Sequence, residues 1–144
     1  MEQQDYLMKQ IDQLGRTLGQ ILLDLLGKKN DGRAVEGVED AIQTLKSKLN
    51  LDIKALFEMP VRDFINILKT QKNFTDVNLA QLAEVLLLIA DNEQSNSKAL
   101  YQKCLAIYDI LDKQESKYSL DRQWKKQRIM NALKCLNEVL LETQ

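Results

Sequence analysis

Hydrophobic residues recur along this chain at alternating three- and four-residue intervals, the spacing that places side chains on one face of an α-helix. The first predicted helix runs from about Asp5 to Leu26, and Gly27 fits the left-handed position that follows a helix end. Asp31 is placed to cap the second helix. The apolar face of the first helix comprises Leu7, Ile11, Leu14, Leu18, Ile21, Leu22 and Leu25. The pattern therefore predicts a long amphipathic helix, a turn and a second helix.

Further helices follow, and residue types typical of helix starts mark them. The second helix carries its apolar residues between Ala34 and Leu49. The predicted starts of the others are, in chain order, Asn50 or Asp52, Pro60, Thr75 or Asp76, Ser97 and Ser119. The apolar face of the last helix comprises Ile129, Ala132, Leu133, Leu136, Val139 and Leu140. The sequence thus predicts six or seven helices.

The fifth predicted helix differs from the others because it is apolar on most sides. Only a narrow polar strip interrupts its hydrophobic surface, formed by Gln81, Glu84 and Asp91. A helix that is hydrophobic nearly all round is buried on most sides. We therefore expect the fifth helix at the centre of the fold, with the fifth, sixth and seventh helices packed as antiparallel neighbours.

The distribution of helix breakers supports an all-α fold. All five glycines lie within the first 37 residues, and Pro60 is the only proline of the chain. No strand-like alternation is evident. The prediction is a single all-α domain over residues 1–144, arranged as a helical-hairpin array or an irregular bundle. Gly37 falls early in the second helix, where glycine costs about 1 kcal/mol, and the sequence gives no reason for it.

Composition lowers the expectation of catalysis. The chain has no histidine, which removes the commonest general base and the commonest metal ligand. Its net charge of −1 gives no global basic field for nucleic acid. The start of the chain is polar and no apolar stretch is long enough to span a membrane. We expect a cytoplasmic protein that is not an enzyme and has no cofactor, no metal and no membrane contact.

Two glycines four residues apart, Gly15 and Gly19, lie along one edge of the first helix beside Met8 and Leu26. Small residues at this spacing let two helix backbones approach closely. One interpretation is a crossing against another helix of the same chain. The other is a partner-binding surface made of these four residues, through which the first helix pairs with a second copy in a homodimer.

The start of the last helix is basic and carries the only tryptophan. Its candidate anion-binding residues are Arg122, Trp124, Lys125, Lys126 and Arg128. Cations beside an aromatic ring are suited to an anionic partner, protein or nucleic acid. The alternative is a solvated helix end whose basic side chains cover the tryptophan, with first turns that overhang the core.

Other groups with reactive side chains are interpreted structurally. Cys104 and Cys135 lie among apolar positions of helices, where small thiols are packing residues. Asp109 and Asp112 point away from the apolar face of the sixth helix and are expected on a solvated face. Helical di-metal sites need inward carboxylates and histidines, which this pattern does not provide.

Two resemblances extend the interpretation. The stretch from Tyr101 to Ile107, with Leu82-Ala83 and Leu86 before it, resembles a tetratricopeptide-type helical hairpin. The opening Asp5-Tyr6-Leu7, followed by Gln10-Ile11 and residues 13–16, resembles a bacterial family of small uncharacterised helical proteins. The first resemblance implies a packed helical hairpin, whereas the second implies a family without a known activity. We predict a non-catalytic protein–protein interaction module that binds a protein or a second copy, the alternative being a small nucleic-acid- or anion-binding protein.

Overall fold

The computed structural model describes residues 2–70, 72–92, 96–114 and 119–142. Every regular element within these ranges is a helix, so the prediction of a single all-α domain is confirmed. The seven helices are α1 (Glu2–Asn30), α2 (Ala34–Leu49), α3 (Ile53–Glu58), α4 (Val61–Thr70), α5 (Asp76–Asn92), α6 (Ser97–Gln114) and α7 (Leu120–Glu142).

The helix α5 forms the centre of the bundle, as its apolar surface predicts. It packs against α1, α2 and α6. Its buried residues are Asn78, Leu79, Leu82, Ala83, Val85, Leu86, Leu87, Ile89 and Ala90. The predicted antiparallel order of α6 and α7 is confirmed by their ion pairs, because Asp112 meets Arg122 near the connection while Asp109 meets Lys126 one turn further on.

The turn between α1 and α2 differs from the sequence-based prediction. Gly27 lies inside α1, and the left-handed position belongs to Gly32, whose φ is +76°. The N–H of Arg33 donates to Lys28 O at 2.7 Å, and the N–H of Gly32 donates to Lys29 O at 3.2 Å. This pair of bonds is a Schellman motif, which satisfies the last carbonyls of α1. Asp31 does not cap α2, since the cap position is held by Arg33 without a side-chain bond.

The position of Gly37 in α2 has a steric reason. A Cβ atom built on Gly37 would lie only 3.1 Å from Lys28 Cβ of α1. Such a contact is closer than two carbon atoms tolerate at ease, so glycine allows α1 and α2 to approach. An ion pair between Lys28 and Asp40 joins the same two helices. The cost of a helical glycine is therefore offset by close packing.

Helix caps agree with most of the predicted starts. Asp52 caps α3 by accepting a hydrogen bond from Lys54 N at 3.1 Å. Thr75 caps α5 through a reciprocal pair of bonds with Asn78, which is a capping box with asparagine in the third helical position. Ser119 Oγ accepts from Arg122 N at 3.2 Å and caps α7. Ser97 is instead the first residue of α6.

The second half of α7 is less buried than its predicted apolar face implies. Ile129 is fully buried, but Ala132, Leu133 and Leu136 are only partly covered. Cys135 is exposed, so its predicted role as a buried packing thiol is wrong. The side chains of residues 139 and 140, which the pattern also placed on this face, lie outside the described ones. The core thus ends near the middle of α7.

Candidate functional site

The glycine edge of α1 faces α5 within the chain. Gln81 Nε2 donates to Gly15 O at 3.2 Å, and Asn78 Nδ2 donates to Gln81 Oε1 at 3.4 Å. A Cβ on Gly15 would lie 3.4 Å from Asn78 Nδ2, and one on Gly19 would lie 3.8 Å from Gln81 Nε2. The structure therefore places these two glycines at an internal crossing, which was one of the two interpretations of their spacing.

The other two candidate residues of that edge, Met8 and Leu26, are exposed and lie 18 positions apart, near opposite ends of α1. Met8 belongs to a segment, residues 5–10, in which every side chain is exposed. The segment includes Tyr6 and Leu7, which are 64% and 44% exposed. Met8 and Leu26 thus continue the glycine edge toward the two ends of α1, where that edge is exposed.

An open groove of about 600 Å³ runs beside the first half of α1, and we call it the α1 groove. Its apolar residues are Leu7, Ile11, Leu14, Leu49 and Phe74. Its polar edges are Gln10, Gln13, Thr17, Lys48, Lys72 and Asn73. Both charged residues that line the α1 groove, Lys48 and Lys72, are lysines. The groove exists because α2 ends and α5 begins beside the middle of α1, so no helix covers this end of the apolar face.

The basic start of α7 is paired throughout with carboxylates. Arg122 Nη1 lies 3.0 Å from Asp112 Oδ1, and Lys126 Nζ lies 2.7 Å from Asp112 Oδ2. Lys125 Nζ lies 2.6 Å from Glu84 Oε1 of α5. Further ion pairs join Lys126 to Asp109, Lys125 to Asp121, and Arg128 to Asp91. Four cations are therefore surrounded by five carboxylates.

These pairs correct three expectations. The first turns of α7 do not overhang the core, because Arg122 is only 9% exposed. Trp124 is not covered by basic side chains, since it is 71% exposed. Asp112 is not a freely solvated acid, because it accepts bonds from Arg122, Gln123 and Lys126. The cluster has no excess positive charge, because its five carboxylates outnumber its four cations.

The pKa of Asp112 reflects this environment. Burial raises the pKa of the carboxyl group, but the hydrogen bonds from Lys126, Arg122 and Gln123 outweigh this effect and lower the pKa to about 2.

The polar strip of α5 is likewise bonded to neighbouring helices. Gln81 bonds to α1, Glu84 bonds to α7, and Asp91 accepts from the Tyr101 hydroxyl at 2.7 Å as well as from α7. Sequence reasoning found the strip but not its partners, because they come from distant helices.

The buried thiol of Cys104 and the hydroxyl of Tyr101 are poor nucleophiles, whereas a third reactive group, Lys103, is affected in the opposite direction. Cys104 is fully buried beside Ala83 O, at 3.5 Å, and burial raises the pKa of its thiol. Burial, and the hydrogen bond to Asp91, raise the pKa of Tyr101. Lys103 is 3% exposed and has no hydrogen-bond or ion-pair partner among the described residues. Burial lowers the pKa of its amine. No pattern in the sequence indicates that this lysine is buried.

Within the described residues, no group of three or more acidic or cysteine side chains is arranged to hold a metal ion. No described helix is long and apolar enough to cross a membrane.

Comparison with known proteins identifies a family but no activity. Residues 1–140 match the model of a family of unknown function, DUF6483, so the chain belongs to that family. No curated protein matches the chain, and no solved structure matches it.

Proposed function

We propose that this member of DUF6483 is a non-catalytic helical interaction module that self-associates through the α1 groove. The observation that carries the proposal is an apolar face that continues beyond the helices covering it. Leu18, Ile21 and Leu25 of this face are buried, whereas Leu7 on the same face is exposed. Apolar surface left open beside a groove is typical of an interaction site.

The helix lengths account for this uncovered face. With a rise of 1.5 Å per residue, the 29 residues of α1 span about 43 Å, whereas the 16 residues of α2 span about 24 Å. The 17 residues of α5 span about 25 Å. Neither covering helix is long enough to pack along the whole of α1. The first turns of α1 therefore project past the bundle with an apolar side.

A second copy of the chain fits this geometry. In an antiparallel pair related by a two-fold axis, the projecting segment of each copy lies in the groove of the other. Tyr6 and Leu7 would then cover the partner's apolar groove. Asp5 of the projecting segment is complementary in charge to Lys48 and Lys72 at the groove edges.

Sedimentation velocity over a range of concentrations tests the proposal. We expect the wild-type chain to form a dimer and Leu7→Asp to remain a monomer. Moving a carboxylate from water into the apolar groove has a large unfavourable free energy. Leu23→Asp is the matched control, since Leu23 is an exposed leucine of α1 that does not line the groove. A wild-type chain that stays monomeric at the highest concentration contradicts self-association. Equal effects of the two variants contradict the assignment of the groove.

A further inference from the structure

The first half of α7 is attached to the bundle mainly by charge. Among its described side chains only Ile129 is a fully buried apolar residue. By contrast, α5 buries eight apolar residues and α6 buries six along their whole lengths. Elements with few buried apolar contacts open more readily than the rest of a fold. The docking of the first half of α7 therefore depends largely on its ion pairs, while Ala132, Leu133 and Leu136 pack partly against the core further along the helix.

The surface beneath α7 is an acidic face, formed by Glu84 and Asp91 of α5 and by Asp109 and Asp112 of α6. Each of these four carboxylates accepts an ion pair from α7. The cations that meet them occur at positions i, i+3, i+4 and i+6 of α7, followed directly by the buried Ile129. The acidic face thus recognises a short pattern of basic residues on a helix.

A buried hydroxyl group marks a second, independent feature of this surface. Tyr108 is 3% exposed, and its hydroxyl has no hydrogen-bond partner among the described residues. Tyr108 lies four residues before Asp112 on α6, so both side chains are on the side of α6 that faces the start of α7. A buried polar group without a partner is unfavourable by itself. The helix that now covers the acidic face satisfies its charges but leaves this group unsatisfied.

We propose that the acidic face is a docking site for a basic amphipathic helix of a partner protein, and that α7 occupies it as an internal ligand in the free chain. The chemistry of the partner follows from α7 itself: three or four cations over two turns, an apolar residue after them, and a polar group that reaches Tyr108. This site lies on α5 and α6, away from the α1 groove, and does not depend on self-association.

Competition with α7 sets the apparent affinity of such a partner. The partner binds only the fraction of molecules in which α7 has undocked, so its apparent affinity is reduced by that fraction. Any change that weakens the α7 ion pairs without altering the acidic face raises the affinity. Added salt weakens ion pairs that have an exposed member, such as Arg128–Asp91 and Lys126–Asp109, because the screening length falls from about 8 Å at 0.15 M to about 3 Å at 1 M.

A labelled peptide tests the proposal on the full-length chain. The probe is a fluorescein-labelled peptide with the sequence of residues 120–137, and its binding is measured by anisotropy at low salt. We expect the double variant Arg122→Glu/Lys126→Glu to bind it at least about tenfold more tightly than the wild type, since its own α7 is repelled from the acidic face. The control Lys46→Glu/Lys54→Glu has the same net charge and is expected to match the wild type.

The second probe is the same peptide with Gln at positions 122, 125, 126 and 128. Equal binding of the two peptides contradicts recognition by charge, and equal binding by the two double variants contradicts the role of α7.

Hydrogen exchange of the wild type provides a readout that does not depend on the folding of a variant. We expect the amides of α7 to exchange faster at 1 M than at 0.05 M sodium chloride while those of α5 do not change. Unchanged exchange in α7 overturns the proposal. So does a wild-type dimer that persists in Leu7→Asp but is lost in Arg122→Glu/Lys126→Glu, because a second copy of α7 would then be the occupant.

Discussion

The side chain of Gln81 on α5 is joined to the backbone of Gly15 on α1, with Nε2 donating to the glycine carbonyl at 3.2 Å. The two residues are 66 positions apart in the chain. The bond forms because Gly15 has no side chain to separate the two helices. Asn78, which also caps α5, donates to the same glutamine. A polar network thus links the start of the central helix to the first helix.

Replacing Gln81 by leucine tests the contribution of this network. We expect Gln81→Leu to lower the free energy of unfolding by about 1 kcal/mol, since one hydrogen bond of that order is lost and Asn78 loses its acceptor. Gln43→Leu, at an exposed position of α2, is the control and is expected to change stability by less than about 0.5 kcal/mol. Urea denaturation followed by circular dichroism measures both. A Gln81→Leu protein as stable as the wild type would show that the bond contributes nothing.

Two glycines of the α1–α2 connection are expected to respond in opposite directions to alanine. Gly27 is helical with no atom within 4 Å of a Cβ, so Gly27→Ala should stabilise the protein by about 1 kcal/mol. Gly32 has a φ of +76°, so Gly32→Ala should destabilise it by about 1 kcal/mol. Thermal unfolding of the two variants provides the comparison. The same sign for both would contradict the assigned end of α1.

The docking of α7 is expected to weaken in acid because of Asp112. The pKa of this carboxyl is about 2 in the folded protein and 3.8 in an ordinary environment. A carboxyl with a lowered pKa stabilises the fold fully above its unfolded pKa, and this stability is lost as the pH falls through the folded value. We therefore expect Asp112→Asn to be less stable than the wild type at pH 6, with the difference shrinking between about pH 4 and pH 2.

The fluorescence anisotropy of Trp124, the only tryptophan, reports the mobility of α7 in that titration. Asp63→Asn, an exposed acid of α4 that makes no ion pair with α7, is the control. If the stability difference between Asp112→Asn and the wild type does not change below pH 4, Asp112 is not the titrating group.

Lys103 is expected to be a source of instability. A methionine at this position retains most of the volume of the side chain but has no charge to bury, so Lys103→Met should stabilise the protein by about 1 kcal/mol. Because burial lowers the pKa of Lys103, the unfolded chain binds its proton more tightly than the folded protein does. The advantage of Lys103→Met is therefore expected to shrink as the pH rises toward 10.5. Chemical denaturation at several pH values measures it, with Lys98→Met, at an exposed position of α6, as the control.

The sequence by itself determined the elements and the central position of α5. Regular apolar spacing predicted six or seven helices, and the described residues form seven, while capping residues such as Thr75 and Ser119 placed two of their starts. These features depend on neighbours three or four positions away, so a single sequence contains them. The end of α1 was misplaced because both Gly27 and Gly32 satisfy the local rule, and only the hydrogen bonds of the folded turn distinguish them.

Only the tertiary structure decided which surfaces remain open. The sequence predicts Asp112 on a solvated face and gives no partner for Glu84, yet in the structure Asp112 pairs with Lys126 and Glu84 pairs with Lys125. Pairings of this kind join residues 14 to 41 positions apart, and local spacing carries no information about them. Likewise, Leu7 and Leu18 occupy equivalent positions of one apolar face, but the lengths of α2 and α5 leave the first exposed and the second buried.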